Sequence, residues 1–422
     1  MKTVIIGAGF AGLSAAHILK DNFIILEAGA RPGGLCRTEV KGGFTFDYTG
    51  HLMHLRHKET EKFILKHTPV KMNKIKRKAV IFSSGVYTKY PYQANNYGLP
   101  PETVEENLTG FIRAKLNNKE DKSSFKNWCL SVMGEGISKN FMLPYNSKLL
   151  KHPLDKITLS WLGRFVPRPE IEDIIKGIEE KGKEGAGYNA SFYYPERGGI
   201  ESVIRGIYGP VKDKVILNTA VKKVDLKNRI VYFSSGEIKY DRLISTMPLK
   251  KFLMLTGNSG YIKAAKGLKA RTVYSLNVGY KTASPTDINW VYVPEPEYPF
   301  YRIGFPHTFS TYNAPAGLSS VFAEVSVKGA VPKNIDSEII KGLIKMKVLR
   351  NKSDIKTSLP LLLPDAYVIF DSYRDSTVPE IEKKLNAQGV ITAGRWGKWE
   401  YSSMEDAVME GMQAAKKAAG GA

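Results

Sequence analysis

Short, unbroken apolar runs open this chain, stretches of helical spacing follow, and a period of two dominates beyond residue 190. Thr3-Val-Ile-Ile6 and Phe23-Ile-Ile-Leu26 contain no charged break, the pattern of strands buried on both faces of a parallel sheet. Between them, Leu13-Ser-Ala-Ala-His-Ile-Leu19 has small residues where a helix must lie close to that sheet. Gly43-Phe-Thr-Phe-Asp-Tyr-Thr-Gly-His51 alternates and predicts a hairpin strand ending at Gly50-His51. Residues 79–93 read as aromatic strand, closing on Tyr90-Pro-Tyr-Gln93. From 101 to 178 the spacing turns helical, with starts at Pro100-Pro101-Glu-Thr and Ser123-Ser-Phe-Lys-Asn-Trp128 and a third helix through Gly136 to Pro144.

Strand patterning returns at Phe192, followed by a helix from Ile200, a strand pair over 215–224 and a strand over 241–248. Val273–Gly279, Trp290–Val293 and Ser320–Val325 alternate, which predicts antiparallel strands with one exposed face. Gly389-Val-Ile-Thr-Ala-Gly-Arg395 is a buried strand running into glycine and arginine. Ser402 or Ser403 then caps a helix with acids in its first turn.

The chemistry enters at the first turn. Gly7-Ala-Gly-Phe-Ala-Gly12 joins the first strand to the helix, and the second strand ends at Glu27. Strand, glycine turn, helix, strand and acid in that order form a dinucleotide-binding fingerprint. The glycines let backbone approach a pyrophosphate at the helix N-terminus, and Glu27 is placed to accept from ribose hydroxyls. Arg31-Pro-Gly-Gly-Leu-Cys-Arg37 follows, a segment typical of flavoproteins with two dinucleotide-binding parts and absent from NAD-only enzymes, so the cofactor reads as FAD. Val221 is placed to lay backbone against the adenine, and the junction at Gly394-Arg395 to present N–H groups to the flavin. The fold class is therefore α/β: a discontinuous Rossmann-like FAD-binding domain (1–70, 186–270 and 365–422), an inserted helical domain (97–185) and an antiparallel sheet domain for substrate (71–96 and 271–364).

Composition changes this picture little. The chain has 422 residues, enough for more than one structural unit. Cys36 and Cys129 are its only cysteines, which argues against a disulfide framework and a multi-cysteine metal site. No stretch is long and apolar enough to span a bilayer, and the run near Met1 has no cleavage site, so the chain reads as cytoplasmic. The net charge of +21 is scattered, densest at Lys71–Lys78, without a nucleic-acid-binding signature. It reads as a solvated lysine-rich surface or as steering for a multiply charged small substrate.

Longer motifs carry a resemblance. Gly134-Glu-Gly-Ile-Ser-Lys-Asn-Phe-Met-Leu-Pro-Tyr-Asn146, Leu159-Ser-Trp-Leu-Gly163, Tyr194-Pro-Glu-Arg-Gly-Gly199, Pro299-Phe-Tyr-Arg302 and Gly394-Arg-Trp-Gly-Lys-Trp-Glu-Tyr401 occur in one order. Together the sequence resembles the UDP-galactopyranose mutase family, especially its eukaryotic-type branch, within the amine oxidase/protoporphyrinogen oxidase-like FAD proteins. The resemblance implies that reduced FAD attacks the anomeric carbon of a UDP-sugar through flavin N5 and displaces UDP while the sugar ring is remade. It implies His51, Arg302 and Arg164 as catalytic residues. Cofactor contacts fall to Gly7, Gly9, Phe10, Ala11, Gly12, Glu27, Ala28, Gly34, Leu35, His51, Val221, Gly394, Arg395, Tyr401 and Met404. The substrate set is Tyr90, Asn146, Arg164, Tyr292, Arg302, Tyr312, Tyr367 and Tyr401. No metal is implied, NAD(P)H is a candidate reductant, and the chain is expected as monomer or homo-oligomer.

The sequence also departs from that family. Phe165 stands where the helical-domain arginine belongs; Arg164 is one residue earlier, about 100° around a helix, and Arg168 is a second candidate. Leu150 replaces a tryptophan near the uracil. The junction after Tyr401 resembles the bacterial form, with Ser403 in place of an acid. Two other classes stay open: an oxidase of the amine or protoporphyrinogen type, and a non-catalytic basic protein that binds nucleic acid or membrane.

Overall fold

The computed structural model describes residues 2–163, 166–179, 190–281 and 287–420. Three separate stretches of chain supply one five-stranded parallel sheet. Its order is Val390–Thr392, Arg242–Ser245, Thr3–Ile6, Phe23–Leu26 and Val215–Ile216. The central strand is wholly buried, as its unbroken apolar run requires. Helix Phe10–Leu19 packs on the C-terminal helix Met404–Ala418 through glycine: a Cβ at Gly411 would stand 2.1 Å from the Ala11 carbonyl oxygen. Gly12 works likewise, since a Cβ there would lie 1.9 Å from the Gly7 carbonyl oxygen. Small residues thus bring two helices and the sheet close behind the first turn.

The stretch 215–224 splits between two sheets, because Val221–Asp225 leaves the parallel sheet to pair with Ile230–Phe233 and that in turn with Gly236–Lys239. The hairpin strand Phe44–Asp47 ends four residues short of His51. Asp47 stops it there: its buried carboxylate accepts from Thr38 Oγ1 and Tyr194 OH, both at 2.6 Å, and from the Ile200 N–H at 3.1 Å. The chain then turns at Thr49, with φ of 75°, and carries His51 out of the sheet.

The second large sheet has seven strands, ordered Ile355–Val368, Ala270–Tyr280, Ser319–Val327, Arg302–Gly304, Trp290–Tyr292, Ala79–Ser83 and Val86–Lys89. Five of its six pairings are antiparallel; Trp290–Tyr292 runs parallel to Ala79–Ser83. The expected exposed face does not exist. Helix Ile335–Lys345 covers one side, packing Ile335, Ile339 and Leu343 on Leu276, Val278, Val321 and Ala323. On the other side Val273, Leu361 and Leu363 meet Leu35 and Tyr48 from the first part of the chain. Strand Ser319–Val327 is buried at every position.

The helical insert comprises Pro101–Asn117, Phe125–Ile137, Leu143–Leu150 and Ile171–Ile178, with one π-helical turn at Ser138–Met142. Ser124 caps the second helix by accepting from the Asn127 N–H. Gly134 breaks it at φ 78°, where a Cβ would lie 2.2 Å from the Gly110 carbonyl oxygen, so the motif Gly134–Asn146 starts at a helix crossing. Two basic side chains fasten the insert to the sheet: Arg271 Nε donates to the Leu150 carbonyl at 2.9 Å, and Lys148 Nζ to those of Val293 and Glu295 at 2.8 Å.

A methyl group at the tightest of these crossings is a direct check on the packing. Gly411→Ala must push the helix off Ala11 and is expected to lower the unfolding free energy by about 1–3 kcal/mol, read by urea denaturation. An unchanged midpoint would show that this crossing tolerates the extra volume.

Candidate functional site

One cleft of about 520 Å³ runs from the first glycine turn to the face of the seven-stranded sheet. At its nucleotide end, Gly7 has φ of 101°, and a Cβ there would strike Thr246 Oγ1 at 2.3 Å. A Cβ at Gly9, by contrast, would meet nothing within 4 Å, so backbone here faces open space at the start of a helix. Gly33 and Gly34 take positive φ beside it. Glu27 ends its strand with each carboxylate oxygen accepting one N–H at 2.7 Å, from Ala8 and from Gly29. Those two bonds fix the carboxylate at the cleft wall.

The middle of the cleft is built by the junction at the end of the chain. Arg395 donates to the carbonyls of Ser402 and Ala366, both at 3.0 Å, and its guanidinium covers Tyr401 at 4.6 Å and Tyr367 at 5.4 Å. Ser403 caps helix Met404–Ala418 in a reciprocal box with Asp406. Glu405, in the first turn and 1% exposed, accepts from the Arg56 and His57 N–H groups, Thr60 Oγ1 and Arg56 Nε. That buried carboxylate ties the loop carrying His51 to the same helix. His51 lines the cleft with Nδ1 buried and without a partner, and Ser402 Oγ is orphaned likewise. Burial first, then the charges of Arg395 and Arg302, push His51 down to about 4, so its ring is neutral near pH 7.

The far wall is a single row across the sheet. Register places Tyr292 opposite Arg302, Arg302 opposite Glu324, and Glu324 opposite Ser275. Arg302 grips Glu324 with Nε at 2.7 Å and Nη2 at 2.8 Å. Glu324 has no exposed side chain, whereas 23% of the Arg302 side chain is exposed. Burial works against the Arg302 charge, but the Glu324 carboxylate more than offsets it and holds the guanidinium firmly protonated. Nη1 remains outside the fork.

Aromatic rings surround that guanidinium. Tyr90 stacks on Tyr292 at 5.3 Å; Tyr145, from the helical insert, meets Tyr292 and Tyr301 edge-on; Tyr301 meets Tyr367, which stacks on Tyr401, and Trp161 closes on Tyr401. Burial raises the phenols of Tyr145, Tyr292, Tyr301 and Tyr367, so these hydroxyls stay protonated as donors.

The cleft lining includes Gly7, Gly9, Phe10, Ala11, Glu27, Ala28, Gly34, Leu35, His51, Val221, Gly394, Arg395, Tyr401 and Met404, together with Tyr292, Arg302 and Tyr367. Gly12 is not part of it and instead packs helix on strand. Tyr90 stands one ring behind Tyr292, with Arg77 over its other side at 4.6 Å. Asn146 is buried outside the lining and donates to the Met142 carbonyl at 2.7 Å. Tyr312 is 47% exposed and lies under Arg197 at 3.6 Å, away from the cleft. Arg164 lies outside the described residues. Arg168, the alternative, pairs with Glu120 and stacks on Trp128, outside the lining.

Sequence reasoning missed Glu324, Tyr301 and Tyr145. A signal existed for Glu324: it is the one charge in the apolar run Ser319–Val327, and a buried carboxylate demands a cation partner.

The sequence matches the family model of flavin containing amine oxidoreductases over residues 10–327, about three quarters of the chain. The chain belongs to that family. Among solved structures, it is similar to reduced UDP-galactopyranose mutase, with a TM-score of 0.94, 27% identity and coverage of 99% of this chain and 94% of that one. It shares its fold with cyclohexylamine oxidase from Brevibacterium oxydans, at a TM-score of 0.66, 14% identity and coverage of 99% and 98%. Among curated proteins it is 23% identical over 313 residues to coproporphyrinogen III oxidase of Staphylococcus aureus, covering 65% of this chain and 66% of the relative, just under two thirds of its length. The cleft suits FAD: an open glycine turn at a helix start and an acid fixed at the strand end.

Removing Glu324 would leave Arg302 charged and uncompensated in the wall. Glu324→Ala is expected to cost about 3 kcal/mol or more in urea unfolding, and Arg302→Met with Glu324→Leu to recover most of it. A double variant no more stable than Glu324→Ala would show that the pair is not the unit described.

Proposed function

We propose that this flavin amine oxidoreductase is a nucleotide-sugar pyranose–furanose mutase acting on UDP-galactopyranose and UDP-galactofuranose. The observation that carries the reading is Arg302: a charged guanidinium, held by Glu324 and ringed by protonated phenols, in the cleft that begins at Gly7 and Gly9. Such a wall is made for an anion with several oxygens, as a nucleoside diphosphate has. Similarity at 27% identity to a UDP-galactopyranose mutase over 99% of the chain supports it.

Reduced FAD, when bound, supplies a nucleophilic nitrogen at the sugar's anomeric carbon. The protein's own residues do the rest. Arg302 Nη1 and the hydroxyls of Tyr292, Tyr301 and Tyr367 bind the diphosphate and take up charge as it leaves the sugar. Glu324 keeps the guanidinium aimed, and the closed aromatic wall excludes water that would hydrolyse the sugar. Neutral His51 lines the cleft and brings no charge of its own to the flavin side. Arg164 as the second diphosphate cation, NAD(P)H as reductant and a cytoplasmic location belong to the same proposal; no helix among the described residues is long and apolar enough to cross a membrane.

The match to coproporphyrinogen III oxidase favours an oxidase as the second reading. Dithionite-reduced protein given UDP-galactofuranose is expected to form UDP-galactopyranose without consuming oxygen. No turnover of any nucleotide sugar, with substrate-dependent peroxide release from a porphyrinogen or amine, would establish the oxidase instead. Arg302→Ala is expected to raise the Kd for UDP at least tenfold by isothermal titration, the loss of one charge-assisted contact. Equal affinity would take Arg302 out of the site.

A further inference from the structure

The basic cluster Lys71–Lys78 contributes nothing to the lining of the cleft. Its strand, Met72–Lys76, pairs antiparallel with Ser191–Pro195 in a ribbon of two. The Lys71 carbonyl accepts from the Glu196 N–H at 2.8 Å, and the Arg77 N–H donates to the Ala190 carbonyl at 3.0 Å. Bonded pairs alternate in such a ladder, so the N–H and C=O groups of Met72 and Lys74 point away from the ribbon. Pro195, which has no N–H to give, accordingly sits opposite Met72. Among the described residues those outward groups of Met72 and Lys74 have no hydrogen-bond partner. The ribbon's other side is taken, because Met53 and Tyr193 exchange bonds at 3.1 and 2.8 Å.

This open edge borders a groove of about 490 Å³. All of Lys71–Ile75 forms one wall and His307–Thr311 the other. Phe309 lines both the groove and the cleft, so one ring separates them. The strand's two faces differ. Ile75 packs with Phe192 and Phe309 on one, while Lys74 stands on the other with Nζ 5.4 Å from the Tyr193 ring. Residues 71–78 hold five basic side chains and no acid. The Lys71 side chain is 72% exposed and meets Glu196 only at 3.7 Å, a contact that leaves most of its charge to solvent.

We propose that the edge of Met72–Lys76 is a docking site for an extended acidic segment of a partner protein, which adds to the ribbon as a third strand. Main-chain bonds to Met72 and Lys74 hold such a segment in register. Alternation then sets its acidic side chains beside Lys74 and its apolar ones over Ile75 and Phe309. A second copy of this chain is the wrong occupant, because edge-to-edge pairing would bring lysine against lysine. Nucleic acid is disfavoured too, since its phosphates can use the lysines and N–H groups but not the outward carbonyls. Docking here depends on neither the flavin nor the reaction it serves.

The test uses the full chain and a fluorescein-labelled peptide of alternating glutamate and valine, about seven residues long, read by fluorescence anisotropy. Binding is expected with a Kd below about 100 μM, and a lysine–valine peptide is expected not to bind. Lys74→Glu should weaken the glutamate–valine peptide about tenfold. Two further peptides, N-methylated at every glutamate or at every valine, each lose the N–H donors of one edge only. One of them is expected to lose binding and the other to keep it, since a docked strand turns a single edge toward Met72 and Lys74. This comparison leaves the protein unaltered, so it holds even if the Lys74 variant does not fold. No binding of the parent peptide, or equal behaviour of the two methylated peptides, would overturn the docking edge. Displacement of the peptide by a lower concentration of single-stranded oligonucleotide would do so as well, in favour of a nucleic-acid surface.

Discussion

The fork between Arg302 and Glu324 is the constraint around which the second half of the chain is arranged. A guanidinium in a sheet interior is tolerable only with a carboxylate opposite, and a carboxylate in a wholly buried strand only with that guanidinium. Register therefore has to be held to the residue, since a slip of one would send both charges into the apolar face packed by helix Ile335–Lys345. That helix on one side and Leu35 and Tyr48 on the other explain why the central strands Ala270–Tyr280 and Ser319–Val327 are buried on both faces. The helical insert is fixed to the same sheet through Arg271 and Lys148, which brings Tyr145 to the ring of aromatics around Arg302.

Placed between that wall and the glycine turn, the cleft has unlike ends. The nucleotide end is backbone: glycines of positive φ, a helix start and a fixed acid. The opposite end is side chain: one cation held by one anion, with phenols that burial keeps protonated. Both ends line one cleft, so under the proposed function a flavin held at the turn would have the fork on its sheet side. In the proposed function the glycine turn holds the flavin and the wall meets the substrate.

Legibility in the sequence followed the same division. The first turn could be read because its chemistry is local: Gly7, Gly9, Glu27 and Gly34 are specified by neighbours within a few residues, and all line the cleft. The cap at Ser403 was readable for the same reason. The wall depended on long-range pairing. Alternation located the strands, but nothing local said that helix Ile335–Lys345 would cover their other face, so an exposed face was expected wrongly. Glu324 and Tyr301 lie in ordinary strand patterns, and only the pairing of Arg302 with Glu324 across the sheet gives them a role. His51 lines the cleft but does not sit at a strand end, because Asp47, where the strand ends, is held by bonds to residues 194 and 200 that no local window contains. Motif resemblance led to Tyr312 and Asn146, which the structure leaves outside the lining.

The central claim is that the free edge of Arg302 meets a diphosphate while Glu324 holds the other edge. A crystal structure of the dithionite-reduced protein soaked with UDP tests this most directly. The account predicts Arg302 Nη1 within about 3 Å of a diphosphate oxygen, tyrosine hydroxyls on the same group, and the pair with Glu324 intact. UDP bound elsewhere, or bound in the cleft with Arg302 making no phosphate contact, would contradict it.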